Sequence, residues 1–242
     1  MTLRLSGGRR LQSPPGATAR PTAARVRQAV FNLLRAELPG CRWLDLCCGS
    51  GVMACEALQQ GAAAVVAIER DRRIAAVALA NLKAVASSLT AGERAPRLQV
   101  IQADARRWLA INTPASQHPG AVSAPVGGGG RSATGIATTM QQANRSAGAE
   151  AITGSVNEAT PTALIQQAEP PKPFDLIYCD PPWPAGLHGP LSEAVLRGGW
   201  IQPGGTMVWE CPSAQLPSAP PGWQLRDQRR YGGSTVVLLS PL

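Results

Sequence analysis

Apolar and polar positions along the chain fall into short blocks that switch between two periods. Val26, Val30, Leu33 and Leu34 recur at helical spacing and predict an amphipathic helix over Thr22–Arg35. Arg42–Cys47 is a short apolar strand, and Val52–Gln60 returns to helical spacing. Ala64–Glu69 is an apolar run of strand length, after which Asp71 suits the N-cap of a helix reaching about Ser88. Arg97–Gln102 reads as a strand, with a short helix starting at Asp104. Phe174–Cys179, Leu187–Gly198 and Thr206–Glu210 read as strand, helix and strand. Trp223–Arg230 and Ser234–Ser240 are two strands about a Gly232-Gly233 turn. Buried strands alternating with helices predict an α/β fold: a mostly parallel, doubly wound sheet with a C-terminal antiparallel hairpin.

The pattern stops between residues 110 and 172. That stretch has no aromatic residue, six charged residues in 63, and four successive glycines at Gly127–Gly130. Such a composition cannot bury enough apolar surface to offset its ordering entropy, so a disordered insertion in a loop is expected. Loop closure entropy grows slowly with length, and the host fold tolerates it. Within it only Ala159–Ala168 suggests a helix. The expected organisation is a basic extension with the first helix over 1–36, then one domain over 37–242 carrying the insertion at about 110–172.

Composition narrows the class. Apolar residues are 44% and charged residues 16%, which is globular, and the scarcity of Phe and Tyr makes the core aliphatic. The longest apolar runs, Ala62–Ile68 and Ile74–Ala80, fall well short of the ~20 residues a bilayer span needs. The first 20 residues lack the apolar segment of a secretory signal. Six cysteines form no C-x-x-C pair, and with two His no metal is expected. Thiols inside apolar runs point to buried, reduced cysteines and a cytoplasmic location.

Charge adds a partner. The net charge is +8, carried by 21 Arg and only 2 Lys. Arg4, Arg9, Arg10, Arg20, Arg25, Arg27 and Arg35 lie within the first 36 residues, which contain no acid. Arginine grips phosphate through paired hydrogen bonds, so a clustered arginine field is the footprint of a polyanion partner. A general preference for Arg over Lys explains the ratio but not the clustering. An organelle transit peptide is a second reading of the same segment.

The candidate chemistry begins at Asp45-Leu46-Cys47-Cys48-Gly49-Ser50-Gly51, between the first strand and its helix. Glycines there permit a tight turn and close approach of a ligand to the backbone. Glu69 ends the second strand, where a carboxylate can accept from a ribose diol. Gly49-x-Gly51-x-x-Ala54 also fits a dinucleotide fingerprint, so NAD and S-adenosylmethionine compete. Three features favour the latter. Asp45 would repel a pyrophosphate but suits a cationic amino-acid head group. Asp104 is placed to accept from an adenine amine. The fourth strand ends in Asp180-Pro181-Pro182-Trp183, for which hydride transfer has no evident use.

Amino-group methylation does use it. The prolines stiffen the turn and turn its carbonyls outward. A carboxylate and a carbonyl accepting from both N–H bonds of an exocyclic amine direct its lone pair at a methyl donor. Trp183 can stack on a base. Structural alternatives exist for each residue: a plain turn for Asp180–Pro182, a solvated strand end for Glu69, a helix N-cap for Asp104, core packing for Trp183. Trp43, Trp108, Trp200, Trp209 and Trp223 read as packing residues, and His188 as a solvated histidine.

These motifs together resemble the bacterial 16S rRNA guanine-N2 methyltransferase family of the RsmD type. The match runs from Leu3-Arg4-Leu5-Ser6-Gly7-Gly8 through Arg20-Pro21-Thr22, Arg25-Val26-Arg27 and Phe31-Asn32-x-Leu34. It continues through Asp45–Gly51, Glu56-Ala57-Leu58, Glu69-x-Asp71, Asn81-Leu82 and Asp180–Trp183. The resemblance implies a Rossmann-like S-adenosylmethionine-dependent methyltransferase fold. It implies methyl transfer to N2 of a guanine in small-subunit rRNA, either free or in the small ribosomal subunit or its precursor. It implies cofactor roles for Asp45, Cys47, Gly49, Gly51, Glu69 and Asp104. Catalytic roles fall to Asp180, Pro181, Pro182 and Trp183, with the Pro181 carbonyl assisting. It makes Arg4, Arg9, Arg10, Arg20, Arg25 and Arg27 RNA-binding residues, in place of a transit peptide. Transfer is expected to be direct, without metal, and a monomer suffices. Two features depart from the family: Trp183 where Phe or Tyr is usual, and the long insertion. Rival readings are the same chemistry on adenine N6 in DNA or on a protein glutamine, a nicotinamide-dependent reductase, and a non-catalytic RNA-binding factor.

Overall fold

Short apolar runs closed by glycine or acidic residues become the inner strands of a single sheet. In this computed structural model residues 3–14, 24–89, 96–114 and 172–242 are described. The elements are α1 (Ala24–Leu33), β1 (Arg42–Asp45), α2 (Val52–Gln59), β2 (Ala64–Glu69), α3 (Arg72–Ala86), β3 (Arg97–Gln102) and α4 (Ala105–Ile111). Then come β4 (Phe174–Cys179), a 3-10 turn (Trp183–Ala185), α5 (His188–Arg197), β5 (Ile201–Pro212), β6 (Trp223–Tyr231) and β7 (Ser234–Pro241). The seven strands lie in the order β3-β2-β1-β4-β5-β7-β6. The first five are parallel, and β7 runs antiparallel to both β5 and β6. The expected doubly wound, Rossmann-like sheet and its C-terminal hairpin are therefore present.

Successive strand residues face opposite sides, and the sheet is buried on both. Trp43 of β1 and Leu176 and Tyr178 of β4 join one apolar cluster with α1, α2 and α3. Leu44, Ile177 and Cys179 join the other, with α4 and α5. Large aromatics fill what aliphatic side chains leave. Phe31, Trp43 and Tyr178 stack in series at 5.5 and 6.1 Å, and Trp108 lies 4.4 Å from Trp200. Trp209 and Trp223 are also buried, so all five tryptophans read as packing residues pack. The cysteines carry no disulfide; five are buried and Cys47 is half-buried. No described helix is long and apolar enough to cross a membrane.

β5 is longer than the Thr206–Glu210 run suggested. Its first half passes through Pro203-Gly204-Gly205, residues of poor strand propensity. The register against β4 shifts there, and Gly205 lies so near Asp175 O that a Cβ would come to 2.8 Å. Pairing with β4 and the absence of a side chain at that crossing override propensity. α4 also carries the regular fold two residues into the low-complexity stretch, to Ile111. Residues 115–171 of that stretch, Ala159–Ala168 included, lie outside the described residues.

The N-terminal segment packs on this sheet assembly. Leu3, Leu5 and Leu11 are buried in the same cluster as α2. Arg4 and Arg10 bridge antiparallel, and Gly8, at φ +82°, turns the chain between them. What pins the segment is a buried ion pair. Glu56 sits in α2, a helix whose residues Val52–Leu58 are all buried. Arg27 Nε lies 3.4 Å from Glu56 Oε2, and both side chains are shielded from water. The Arg27 guanidinium also donates to Arg4 O at 2.5 Å, and Ser6 N donates to Glu56 Oε2 at 3.1 Å. Arg27 therefore corrects the expectation of a phosphate-binding side chain. It is buried because the only carboxylate within α2 needs a cation, and its charge points inward.

Removing one partner of a buried ion pair leaves the other charge uncompensated, a loss of about 3–5 kcal/mol. Arg27→Ala should lose that much stability in urea unfolding. Arg25→Ala, two positions away on the exposed face, should stay within about 0.5 kcal/mol of wild type.

Candidate active site

Four parallel strands end at one edge of the sheet, and each delivers an acidic residue there or just beyond. β1 ends in Asp45 and β2 in Glu69; Asp104 follows β3 and Asp180 follows β4. The register sets their heights: Asp45 pairs with Ala67 and Tyr178, so Glu69 and Asp180 each stand two residues further out. Cys47 records the convergence. Burial raises its thiol pKa first, and the charges of Asp45, Glu69, Asp180 and Asp104 all push it higher. The residues expected to form one site are thus around one point.

The loop from β1 to α2 is held by backbone bonds on both sides. Leu46 N donates to Tyr178 O at 3.0 Å and Cys48 N to Ile68 O at 2.9 Å. Glu69 Oε2 accepts from Gly49 N at 3.0 Å while its Oε1 accepts from Asp71 N at 2.9 Å. The two glycines differ in purpose. Gly51, at φ +75°, lies against α3, where a Cβ would come 3.1 Å from the Ala78 Cβ. Gly49, at φ +52°, meets nothing within 4 Å, so its face of the loop is open to a ligand.

Asp45 is the anomaly of the site. It is 1% exposed, and neither carboxylate oxygen has a hydrogen-bond partner. Burial pushes the carboxyl up to about 8, and the nearby Glu69 charge adds to this. The N–H groups of Cys47 and Ala54 point toward it and offset the rise only in part. A carboxyl group held this way has unused capacity to pair with a cationic group.

On the other side of β1 the Asp180 turn is stiff. Pro181 is buried and Pro182 exposed. The Pro182 carbonyl accepts from Ala185 N at 3.0 Å, closing the 3-10 turn that Trp183 opens. Trp183 and Asp180 are both half-buried. Behind them stands a polar floor that the sequence pattern did not suggest. Tyr178 Oη donates to Glu210 Oε2 at 2.7 Å, and Ser234 Oγ donates to Glu210 Oε1 at 3.0 Å. His188, expected to be solvated, is 3% exposed. Its Nε2 lies 2.8 Å from Glu210 O and its ring packs 5.4 Å from Trp209. Burial lowers its pKa and so favours the neutral ring. The start of α5 is tucked under the turn, and that geometry draws His188 inward.

Asp104 caps α4, its Oδ1 accepting from Arg107 N at 3.0 Å, and remains exposed. Arg4, Arg9, Arg10 and Arg25 are exposed, Arg27 is not, and Arg20 lies outside the described residues. Glu56, Asn81 and Glu210 were not singled out for roles. The available signals for Glu56 are its charge within the otherwise apolar Val52–Leu58 run and its place in the Glu56-Ala57-Leu58 match.

The sequence pattern of the family described as conserved hypothetical protein 95 matches residues 5–117 and 132–240. The chain is 35% identical over 103 residues to the ribosomal RNA small subunit methyltransferase D of Escherichia coli (strain K12), covering 43% of this chain and 48% of that protein. It is 33% identical over 102 residues to YlbH of Bacillus subtilis (strain 168), covering 42% and 52%. The matches thus span about half the length of these curated relatives. The solved structure of yhhF from Escherichia coli superposes with a TM-score of 0.64 at 22% identity, covering 100% of this chain and 98% of that one.

A carboxyl at about 8 in the folded chain and 3.8 when free takes up a proton on folding. Its cost to stability is therefore absent at low pH, grows between those values and then levels off. Asp45→Asn removes the charge, so the ligand-free variant should exceed wild type by roughly 1–3 kcal/mol at pH 8. The difference should shrink toward pH 5, read by chemical unfolding across that range.

Proposed function

The chain belongs to the conserved hypothetical protein 95 family, and from that premise we propose that it transfers a methyl group from S-adenosylmethionine to the exocyclic N2 amine of a guanine in 16S ribosomal RNA. The RsmD-type resemblance of its motifs agrees with that membership. One observation carries the reading. A buried, unpartnered Asp45 carboxylate adjoins an open glycine loop, with Glu69, Asp104 and Asp180 on the same sheet edge.

The residues fit such a cofactor. Asp45 seats the cationic amino-acid head group. The backbone at Gly49 and Gly51 lets the ligand approach, with Cys47 beside it. Glu69, already fixed by Gly49 N and Asp71 N, keeps further lone pairs for a ribose diol. Asp104 has a second oxygen for an adenine amine. When bound, S-adenosylmethionine supplies an electrophilic sulfonium methyl. Asp180 and the Pro181 carbonyl accept from the two N–H bonds of the guanine amine and direct its lone pair at that methyl. Asp180 or water would receive the proton that the methylated nitrogen sheds. Pro182 keeps the turn rigid, and Trp183 stacks on the base.

Exposed Arg4, Arg9, Arg10 and Arg25, with Arg20 in the same segment, grip the RNA backbone. On this reading 1–36 is the RNA-binding extension and 37–242 the methyltransferase domain. The protein acts in the cytoplasm as a monomer on rRNA, within the small ribosomal subunit or its precursor.

Labelled methyl transfer tests the proposal, with undermodified small subunits, free 16S rRNA, duplex DNA and a glutamine-containing protein as acceptors. Label should appear in rRNA as N2-methylguanosine and fall about 100-fold or more in Asp180→Ala. Label in DNA or protein, or none in rRNA, would overturn it. Asp45→Asn should lose S-adenosylhomocysteine binding despite its greater stability. Exchanging Arg4, Arg9 and Arg10 for Ala should flatten the salt dependence of RNA binding, its log–log slope falling by up to about one for each phosphate no longer neutralised.

A further inference from the structure

Between the N-terminal segment and the glycine loop stands one side chain that touches both. Asn81 lies two-thirds of the way along α3 and is 2% exposed. Its Oδ1 accepts from Gln12 N at 2.8 Å, and its Nδ2 donates to Gln12 O at 3.0 Å. The amide thus pairs with the Gln12 backbone as a strand would. The same Nδ2 donates to Ser50 O at 3.0 Å. Both donors and one acceptor position of a buried amide are therefore committed to two segments distant in sequence.

Ser50 lies between the two loop glycines. Gly49 is tied to Glu69 and opens on the ligand side, while Gly51 abuts Ala78, three residues before Asn81. Movement of Ser50 O toward or away from α3 thus changes the same amide that docks Gln12. Unmade bonds in a buried amide are costly, so loop and segment hold their bonds together or lose them together.

We propose that Asn81 is a positioning residue that couples occupancy of the glycine loop to docking of the N-terminal segment, residues 3–12. A ligand that orders the loop fixes Ser50 O, which fixes the Asn81 amide and holds Gln12. Linkage requires the reverse: RNA held by Arg4, Arg9 and Arg10 tightens the cofactor by the same factor. The inference rests on the cofactor assignment above and adds a mutual dependence: bound cofactor favours RNA, and bound RNA favours cofactor.

Hydrogen exchange over residues 3–12 of the full chain, with and without saturating S-adenosylhomocysteine, tests it. In wild type the ligand should slow exchange about fivefold or more. In Asn81→Asp, which keeps the shape but loses both donated bonds, slowing should not exceed about twofold. Should that variant not fold, Gln12→Pro serves instead. It removes the donor on the segment side and leaves the Asn81–Ser50 bond, so the ligand should still bind at saturating concentration while the remaining amides of 3–12 lose their response. Equal slowing in wild type and variant, or ligand binding with no change in wild type, overturns the coupling alone. Failure of the wild-type chain to bind S-adenosylhomocysteine overturns the cofactor assignment and the coupling with it.

Discussion

β1 lies near the middle of the sheet, and the chain winds away from it in opposite directions, through β2 and β3 on one side and β4 and β5 on the other. The connections leaving β1 and β4 therefore diverge to opposite faces and leave a crevice at the carboxyl edge. Every group of chemical interest follows from that reversal. The glycine loop crosses one lip and the Asp180 turn forms the other, while Glu69 and Asp104 line the side toward β3. The reversal itself depends on strands without a polar face. Leu44 pairs with Val66 on one side and Ile177 on the other, and all three lie between helical layers.

Polar groups buried in that apolar setting serve two different ends. Arg27 and Glu56 offset each other's charge and fasten the N-terminal segment, although Arg27 Nε and Glu56 Oε1 make no hydrogen bond, so their charges work on structure. Asp45 has no such partner and stands ready for a charge from outside. The Tyr178–Glu210–Ser234 cluster is intermediate: its bonds are made, and it supports the strand end that carries Asp180.

Most of the fold was legible because local and tertiary preferences agree. β2 and β4 are apolar runs with acid or cysteine at the end, and their bounds match those read from the sequence. Asp71 caps α3 as its position implied, accepting from Arg73 N and Ile74 N. The gathering of four acidic residues at one sheet edge was legible as well, since each ends or follows a strand with a polarity its apolar neighbours lack. What was not legible depends on pairing across distance. Arg27 looks like its exposed neighbours until Glu56, 29 positions on, is known to lie beneath it. His188 looks solvated until β5 is seen to bring a carbonyl to its ring. The first half of β5 is hidden by Pro203 and two glycines, whose strand state comes wholly from β4. Asn81 is an ordinary polar residue on a helix until Gln12 and Ser50 approach it from either side.

The cysteines carry a consequence of another kind. Burial raises the pKa of Cys41, Cys55 and Cys211 to about 12 and drives Cys48 and Cys179 up as well. Thiolate is the reactive form, so burial and the raised pKa protect these five thiols from oxidants and alkylating agents while the chain is folded. Once opened, the same thiols return to roughly 8.5 and react readily. They are spread over the entry to β1, the glycine loop, α2, β4 and β5, on both faces of the sheet. The order in which they become labelled is thus a built-in clock of how the molecule comes apart, region by region.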